Sequence, residues 1–267
     1  MLTDAFSLNG KTALITGAGR GIGARIATAF AEMGADVILV ARTESDLQQV
    51  AGQVRDMGRS ALVLSCDLTN EDQLAELAAA IAAEVATLDI LVNNAGAPGK
   101  GYGSLATVDR RRFDHTLSVN LSAAYSLIHH TLPLLQAAPG ASIVNISSAM
   151  SWMVDNNMAA YAAAKAGLDQ MTRVLAYELS PAIRVNGIAP GAIETPATAF
   201  ITDDPQRLEE TVRWIPQGRM GRPDDIALAA LYLASAASAF VSGKILEVDG
   251  GMAALPGPAI QSRLPTT

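Results

Sequence analysis

The stretch Thr12–Gly23, TALITGAGRGIG, joins a short apolar run to a glycine-rich turn. The run Thr12–Thr16 is too short for a helix and is typical of a buried strand. The glycines Gly17, Gly21 and Gly23 follow it, and a helical pattern begins at about residue 21. Glycines between a strand and a helix let the backbone approach a pyrophosphate, and the helix N-terminus adds N–H donors. The stretch therefore predicts a dinucleotide site, although the glycines alone leave open a tight turn without a ligand.

The alternation of strand and helix continues along the chain. The predicted strands are 12–16, 36–40, 61–65, 88–93, 142–147, 183–187 and 244–248. The predicted helices are about 21–33, 43–57, 70–86, 109–137, 161–179 and 223–235. Continuous apolar strands separated by helices predict an α/β fold, with a parallel sheet covered by helices on both faces. Because no linker rich in Pro, Gly or Ser divides the chain, we predict a single domain over residues 1–267.

Composition and charge narrow the class of protein. The sequence is 50% hydrophobic and 17% charged, which excludes intrinsic disorder. The formal net charge of -7 argues against a nucleic-acid partner or an anionic membrane surface. Cys66 stands alone and histidines are few, so we predict no disulfide and no metal site. No apolar run is long enough for a membrane span and the start does not resemble a signal peptide, so we expect a soluble, cytoplasmic protein.

The end of the second strand bears on the choice of cofactor. A site for NAD usually places a carboxylate at this strand tip, on the ribose 2′-hydroxyl. Here the strand ends at Ala41 and Arg42, with no acid. Arg42 and Arg20 are placed to bind a 2′-phosphate, because guanidinium groups bind phosphate oxygens bidentately. The sequence therefore predicts NADP(H) as the preferred cofactor and leaves NAD(H) possible; solvated loop arginines are the alternative.

Tyr161-Ala-Ala-Ala-Lys165 places a phenol and an ammonium four residues apart. On a helix the two side chains share one face. A phenol titrates near pH 10, and an adjacent cation lowers that pKa. The pair therefore suits proton transfer to or from a carbonyl oxygen, against the alternative of an exposed helical pair.

Several motifs together resemble the short-chain dehydrogenase/reductase family over residues 8–252. They are TGxxxGxG at 16–23, NNAG at 93–96, Ser148, YxxxK at 161–165, Pro190-Gly191 and VDGG at 248–251. The resemblance implies a Rossmann-type doubly wound domain with seven strands in the order 3-2-1-4-5-6-7. It also implies a nicotinamide cofactor, hydride transfer to or from an alcohol or ketone, and a homotetramer. Surplus apolar residues in the two long helices 109–137 and 161–179 are in keeping with such an assembly.

The resemblance assigns catalytic roles to matching positions. Tyr161 is the expected general acid/base, and Lys165 is expected to bind the nicotinamide ribose and lower the tyrosine's pKa. Ser148 is expected to hydrogen-bond the substrate oxygen, and its spacing to Tyr161 favours it over Ser147. Asn120 matches the asparagine that holds a water in the proton relay.

The resemblance also assigns cofactor contacts, with Asp67 near the adenine and Asn93 lining the cleft. The full set is Gly17, Gly19, Arg20, Gly21, Ile22, Gly23, Arg42, Asp67, Leu68, Asn94, Ala95, Gly96, Tyr161, Lys165, Pro190, Gly191, Ile193 and Thr195. The absence of an acid at Ala41 departs from members that prefer NAD and so favours NADP.

The variable loops decide the substrate, which we expect to be a small molecule. Loops 97–107, 149–160 and 192–216 hold both tryptophans of an aromatic-poor chain, and a tail follows over 252–267. We expect Ser148, Trp152 and Tyr161 to contact a bulky, apolar, hydroxysteroid-like alcohol or ketone. The alternative substrate is a 3-oxoacyl thioester. A non-catalytic nucleotide-binding sensor remains the alternative from another class, whereas a hydrolase is disfavoured because GxSxG is absent.

Overall fold

A parallel sheet forms the centre of the computed structural model, which describes residues 2–252. Its strands are β1 (Thr12–Thr16), β2 (Asp36–Ala41), β3 (Ala61–Ser65), β4 (Ile90–Asn93), β5 (Ala141–Ile146), β6 (Ile183–Pro190) and β7 (Ile245–Val248). All seven run in the order β3-β2-β1-β4-β5-β6-β7, and every pairing is parallel. This confirms the predicted fold class. The single domain over 1–267 stays a prediction, since all of the tail beyond residue 252 lies outside the described residues.

Helices cover both faces of the sheet. They are α1 (Gly21–Glu32), α2 (Glu44–Asp56), α3 (Glu71–Glu84), α4 (Arg110–Leu117), α5 (Ala123–Ala137), α6 (Ala159–Glu178), α7 (Ala199–Thr202), α8 (Pro205–Arg213) and α9 (Pro223–Ala234). Helices α1, α2 and α9 pack on one face, and α3, α5 and α6 pack on the other. Among the described residues, no helix has both the length and the apolar character needed to cross a membrane.

Alternating side chains of the strands build two hydrophobic cores. In β1, Ala13 and Ile15 face the core under α1 and α9, while Leu14 faces the core under α3 and α5. Phe30 of α1 is among the largest fully buried side chains. Burial on both faces explains why the strands read as continuous apolar runs rather than as alternating patterns.

The predicted single helix over 109–137 is wrong in its middle. The structure has α4, then a π-helical turn over Ser118–Ser122, then α5. Asn120 lies in this turn, and its Nδ2 donates to the carbonyl oxygens of Thr116 and Ala97, both at 2.9 Å. The second of these hydrogen bonds crosses to another segment, so helix propensity along the chain cannot predict the turn. Such turns occur frequently at functional sites.

Helix α8 also departs from the sequence analysis, which treated 192–216 as a loop. The helix begins after Asp204, whose carboxylate accepts the N–H of Gln206 at 3.0 Å, and Pro205 is its first residue. Asp followed by Pro favours the start of a helix, so the sequence contains a local signal for the start of α8. A short helix, α7, precedes α8 in the same segment.

The strand order places the functional cleft. β1 pairs with β2 on one side and with β4 on the other, so the connections after β1 and β4 leave in opposite directions. In open parallel sheets the crevice at this switch point, outside the carboxyl ends of the strands, binds ligands. The glycine-rich turn after β1 and the NNAG segment after β4 both lie there.

Two helical glycines provide a matched test of the close approach of α1 to this turn. A Cβ at Gly23 would lie 2.4 Å from the Gly17 carbonyl oxygen, whereas a Cβ at Gly52 in α2 meets nothing within 4 Å. We expect Gly23→Ala to lower the free energy of unfolding by about 1–3 kcal/mol. We expect Gly52→Ala to raise it by about 0.5–1 kcal/mol, because alanine is the better helix former. Urea unfolding measures both, and a shift in the same direction for both variants would contradict this packing.

Candidate active site

The glycine-rich turn is tied to the end of β4 by one asparagine. Asn94 Nδ2 donates to the carbonyl oxygens of Thr16 at 2.8 Å and Gly17 at 3.3 Å. In return, the Thr16 hydroxyl accepts the N–H groups of Asn94 at 2.9 Å and Ala95 at 3.0 Å. These bonds hold the two loops of the cleft at a defined separation.

The start of α1 has the properties of an anion site. Gly17 and Gly21 have φ values of +63° and +58°, in the left-handed region that favours glycine. The N-cap residue Arg20 makes no side-chain hydrogen bond to the first turn, so the N-terminal amides are left without a cap. Free amides at the positive end of a helix dipole suit the phosphates of a dinucleotide. The residues present therefore fit the cofactor that the sequence predicts.

A cavity of about 620 Å³ opens beside this turn. Many predicted cofactor contacts line it: Gly17, Gly19, Arg20, Gly21, Ile22, Arg42, Asp67, Leu68, Asn94, Ala95, Gly96 and Thr195. Six predicted contacts are not among the lining residues, namely Gly23, Tyr161, Lys165, Pro190, Gly191 and Ile193. Gly23 lies beneath the turn against Asn94, and Ile193 is buried, so both act through packing.

The sequence analysis missed Asp46, which changes the expected role of Arg20. Asp46 Oδ2 lies 2.6 Å from Arg20 Nη2, and both residues line the cavity with Arg42. Arg20 is therefore paired with an acid in this structure rather than held free for a phosphate. Arg42 has no ion-pair partner among residues 2–252. The signal for Asp46 was its place in the first turn of α2, next to the turn that follows β2.

Asp67 lines the cavity as an ionised carboxylate. Its Oδ1 accepts the Thr69 N–H at 3.0 Å and the Thr69 hydroxyl at 2.8 Å. These two hydrogen bonds lower the pKa of Asp67, and the nearby positive charge of Arg42 acts in the same direction. His115 also lines this cavity.

The predicted catalytic residues meet where β5 ends and α6 begins. Ser148 follows β5, and its hydroxyl is hydrogen-bonded to the phenol of Tyr161. Lys165 Nζ lies 5.6 Å from the centre of the Tyr161 ring and donates to the Ile146 carbonyl oxygen at 2.8 Å. Lys165 is only 3% exposed, so a charged group is held inside the protein.

Burial dominates the titration of the tyrosine–lysine pair. It raises the pKa of Tyr161, and the hydrogen bond from Ser148 offsets only part of this. Burial also lowers the pKa of Lys165 to about 8. The expectation that Lys165 would lower the pKa of Tyr161 is therefore not what governs this structure, because desolvation of the buried phenol is the largest effect. A protonated phenol at neutral pH suits donation of a proton.

Gly96 lets Asn120 and Lys165 approach the same point. A Cβ at Gly96 would lie 2.6 Å from Asn120 Oδ1 and 3.2 Å from Lys165 Nζ. Asn120 is 2% exposed, and its Oδ1 accepts the Ala97 N–H at 3.0 Å. The π-helical turn thus places Asn120 against the loop after β4 and close to Lys165.

Asn93 does not line the cleft, contrary to the sequence analysis. Its Nδ2 donates to Asn145 Oδ1 at 2.9 Å inside the sheet. Asn145 Nδ2 in turn donates to the Thr172 hydroxyl on α6 at 2.9 Å. Side chains alternate across a strand, so Asn93 enters the core while Asn94 enters the cleft. This buried polar chain fixes α6 against β5.

Known proteins are similar to this chain in sequence. The chain matches the family model described as enoyl-(acyl carrier protein) reductase over residues 17–253. It is 42% identical over 253 residues to an uncharacterized oxidoreductase of Mycobacterium tuberculosis, covering 94% of this chain and 95% of that one. It is 37% identical to 7alpha-hydroxysteroid dehydrogenase of Escherichia coli, covering 93% and 96%. The chain belongs to the short-chain dehydrogenase/reductase family.

Family membership confirms the predicted class of enzyme. The chain is an oxidoreductase that acts on CH–OH groups. A solved gluconate 5-dehydrogenase of Burkholderia cenocepacia, in complex with NADP and tartrate, has a TM-score of 0.90 and 33% identity, covering 96% of this chain and 100% of that one. The family binds NAD(P), which confirms the predicted class of cofactor.

Two of the predicted substrate loops are joined by a hydrogen bond beside the predicted catalytic residues. The Gly103 N–H donates to the Asn157 carbonyl oxygen at 3.0 Å, which joins loop 97–107 to loop 149–160. Arg112 stabilises loop 97–107 by donating to the carbonyl oxygens of Lys100 at 2.7 Å and Thr107 at 2.8 Å. Trp152 is 39% exposed in the second loop. In the third loop, Phe200, Ile201 and Trp214 line a shallow cavity of about 260 Å³ together with Arg207, Glu210 and Thr211.

Replacing Tyr161 by Phe removes the proton donor and keeps the ring. We expect kcat for ketone reduction to fall at least about 100-fold, the scale of general acid catalysis. We expect the dissociation constant of NADPH, measured by fluorescence titration, to stay nearly unchanged. Tyr177→Phe is the matched control, because Tyr177 lies exposed on the same helix. Full turnover in Tyr161→Phe would remove this residue from the chemistry.

Proposed function

We propose that this enzyme prefers NADP(H) and interconverts a bulky, apolar secondary alcohol and its ketone. The observation that carries the proposal is the cluster of Ser148, Tyr161 and Lys165 beside the glycine-rich cavity. Intact acid/base groups next to a dinucleotide cradle favour an enzyme over a sensor that binds the nucleotide without turnover.

Each residue of the site has a separate role in carbonyl reduction. Tyr161 donates a proton to the substrate oxygen, and Ser148 orients that oxygen by a hydrogen bond. Lys165 would hold the nicotinamide ribose and supplies positive charge beside the phenol, while Asn120 would position the relay that restores the proton. When bound, the nicotinamide supplies the hydride for reduction or accepts it in oxidation. Because burial raises the pKa of Tyr161, alcohol oxidation, which needs the deprotonated phenol, is favoured at higher pH.

The preference for NADP(H) rests on Arg42 and Ala41. Both line the cavity at the end of β2, and Ala41 offers no carboxylate to a ribose 2′-hydroxyl. Arg42 is the cation that meets a 2′-phosphate, whereas Arg20 is engaged by Asp46. The solved Burkholderia relative with NADP supports this choice by similarity.

An exchange at the β2 tip tests the cofactor preference. Ala41→Asp with Arg42→Ile should weaken NADPH binding roughly 10- to 100-fold, since one charge-assisted contact contributes about 1.5–3 kcal/mol. The same variant should bind NADH more tightly, because the new carboxylate can accept the ribose hydroxyls. Titration calorimetry measures both, with Arg111→Ile as the control for loss of one exposed arginine. A parent enzyme that binds NADH more tightly than NADPH contradicts the proposal.

The substrate class rests on the apolar surface of the loops and on the pairing of their arginines. Trp152, Phe200 and Trp214 present exposed aromatic surface. Three arginines in or just after the third loop are paired with nearby acids: Arg207 with Asp204, Arg213 with Glu209 and Arg219 with Asp225. Paired cations offer little to an anionic substrate, so an uncharged, bulky molecule fits better. The steroid dehydrogenase of Escherichia coli supports this class by similarity.

The runner-up is reduction of a 3-oxoacyl thioester. The description of the matching family model, enoyl-(acyl carrier protein) reductase, favours this alternative, because it names enzymes that act on carrier-bound acyl groups. The run Arg110–Arg112 at the start of α4 offers less to an acidic carrier than its charge suggests. Arg110 is paired with Asp114 at 2.7 Å, and Arg112 is committed to loop carbonyls.

A panel of carbonyl compounds separates the substrate classes. We expect NADPH-dependent reduction of a steroid ketone at a higher kcat/KM than of a sugar-acid ketone or a 3-oxoacyl thioester. Trp152→Ala should raise KM at least about tenfold for the steroid and much less for a small cyclic ketone, since apolar burial contributes about 25 cal/mol per Å². Activity confined to charged ketones would reject the class, and cofactor binding without any turnover would favour the sensor.

The same proposal includes a homotetramer in the cytoplasm with a small-molecule substrate. Tyr125 on α5 and Val174 and Tyr177 on α6 leave apolar surface exposed on adjacent helices. Exposed apolar faces on two long helices suit pairing across a two-fold axis.

A further inference from the structure

Asp169 is a buried acid without an assigned role. It lies on α6, is 4% exposed, and faces the protein interior with Leu168 and Thr172. Its Oδ1 has no hydrogen-bond partner among residues 2–252. A buried carboxylate oxygen without a hydrogen bond is costly, so another interaction must offset the lost hydration.

Lys165 provides the opposite charge one helical turn earlier. Residues four apart on a helix share one face, with Cβ atoms about 5–6 Å apart. Lys165 is as deeply buried as Asp169, and its ammonium donates to the Ile146 carbonyl oxygen at 2.8 Å. That carbonyl is uncharged and leaves the positive charge without a direct ion pair. Two buried opposite charges at this spacing stabilise each other in the low dielectric of the interior.

Other charged groups on the elements packed against α6 are directed elsewhere. On α4, Asp114 is paired with Arg110 at 2.7 Å, Arg111 is exposed, and Arg112 donates to the carbonyl oxygens of the loop 97–107. On β6, Arg184 donates to carbonyl oxygens at the C-terminal end of α9 and to a serine hydroxyl. Lys100 and His115 line the cavity at the glycine-rich turn. The π-helical turn and the segment 149–151 carry no charged residue. Asp169 is thus the countercharge that acts on the buried ammonium.

We propose that Asp169 is a positioning residue, whose buried carboxylate keeps Lys165 protonated at neutral pH and thereby supports the Tyr161 proton donor. The link to Tyr161 rests on the proposed function, whereas the effect on Lys165 does not. Burial alone lowers the pKa of Lys165, and the Asp169 charge raises it toward the value of about 8. Since the lysine is charged below its pKa, removing the carboxylate moves its loss of charge into the neutral range.

Side-chain NMR of the full-length protein tests the effect on Lys165 directly. The chain has only four lysines, Lys11, Lys100, Lys165 and Lys244, so carbon-13 labelled lysine gives a simple spectrum. Lys165→Met assigns the signal of interest. We expect a titration midpoint of about 8 in the wild type and a midpoint lower by about one pH unit or more in Asp169→Asn. Asp169→Glu should restore the midpoint. Glu178→Gln removes an exposed acid from the same helix and should leave the midpoint unchanged.

The same variants show whether this charge serves the reaction. In Asp169→Asn the alkaline limb of the kcat profile should move to lower pH, together with the NMR midpoint. An unchanged midpoint in Asp169→Asn overturns the proposal. If that variant fails to fold, a wild-type midpoint below pH 7 overturns it and a midpoint near 8 supports it. A shifted midpoint without turnover of any ketone would refute the proposed function and leave the coupling of Asp169 to Lys165 standing.

Discussion

The side-chain amide of Asn94 makes the hydrogen bonds on which the cleft depends. It joins the backbone at the end of β1 to the loop after β4, across the point where the strand order reverses. The approach is possible because Gly17 and Gly23 lack side chains that would occupy the same space. Together with the hydrogen bonds that the Thr16 hydroxyl accepts from Asn94 and Ala95, the Asn94 amide holds the glycine-rich turn against the loop carrying Gly96. The cleft is therefore a consequence of backbone packing as much as of sheet topology.

Helix α6 holds buried ionisable side chains. Tyr161, Lys165 and Asp169 occupy one face of the helix at spacings of four residues, and the helix is held on the sheet by the chain of hydrogen bonds from Thr172 to Asn93. Burial changes the protonation equilibria of the phenol and the ammonium in opposite senses. A helix that buried only apolar residues on this face would be easier to stabilise, but it could not hold a proton donor beside a cation. Burying these ionisable side chains therefore costs desolvation free energy.

Much of the fold followed from local patterns. Runs such as 36–40 are short and apolar, as is typical of a buried strand, and their alternation with helices predicted the parallel sheet. The interrupted helix around Asn120 could not be predicted in this way, because its π-helical turn depends on hydrogen bonds to Ala97 in a different segment. Helix α8 was missed for a different reason, since Asp204 and Pro205 carried a local start signal that was not used.

The sequence by itself determined the α/β class, the family, and the residue types of the site: glycines at the first turn, Ser148, and the Tyr161–Lys165 pair. These features are local, because spacing along one strand or helix fixes which side chains share a face. Only the tertiary structure decided that Arg20 is paired with Asp46, that Asn93 points into the core, and that Lys165 lies buried with Asp169 as its countercharge. Each of these depends on which distant segments contact a side chain and on how deeply that side chain is buried. Electrostatic energy depends on distance and burial in three dimensions, and neither can be read from position along the chain.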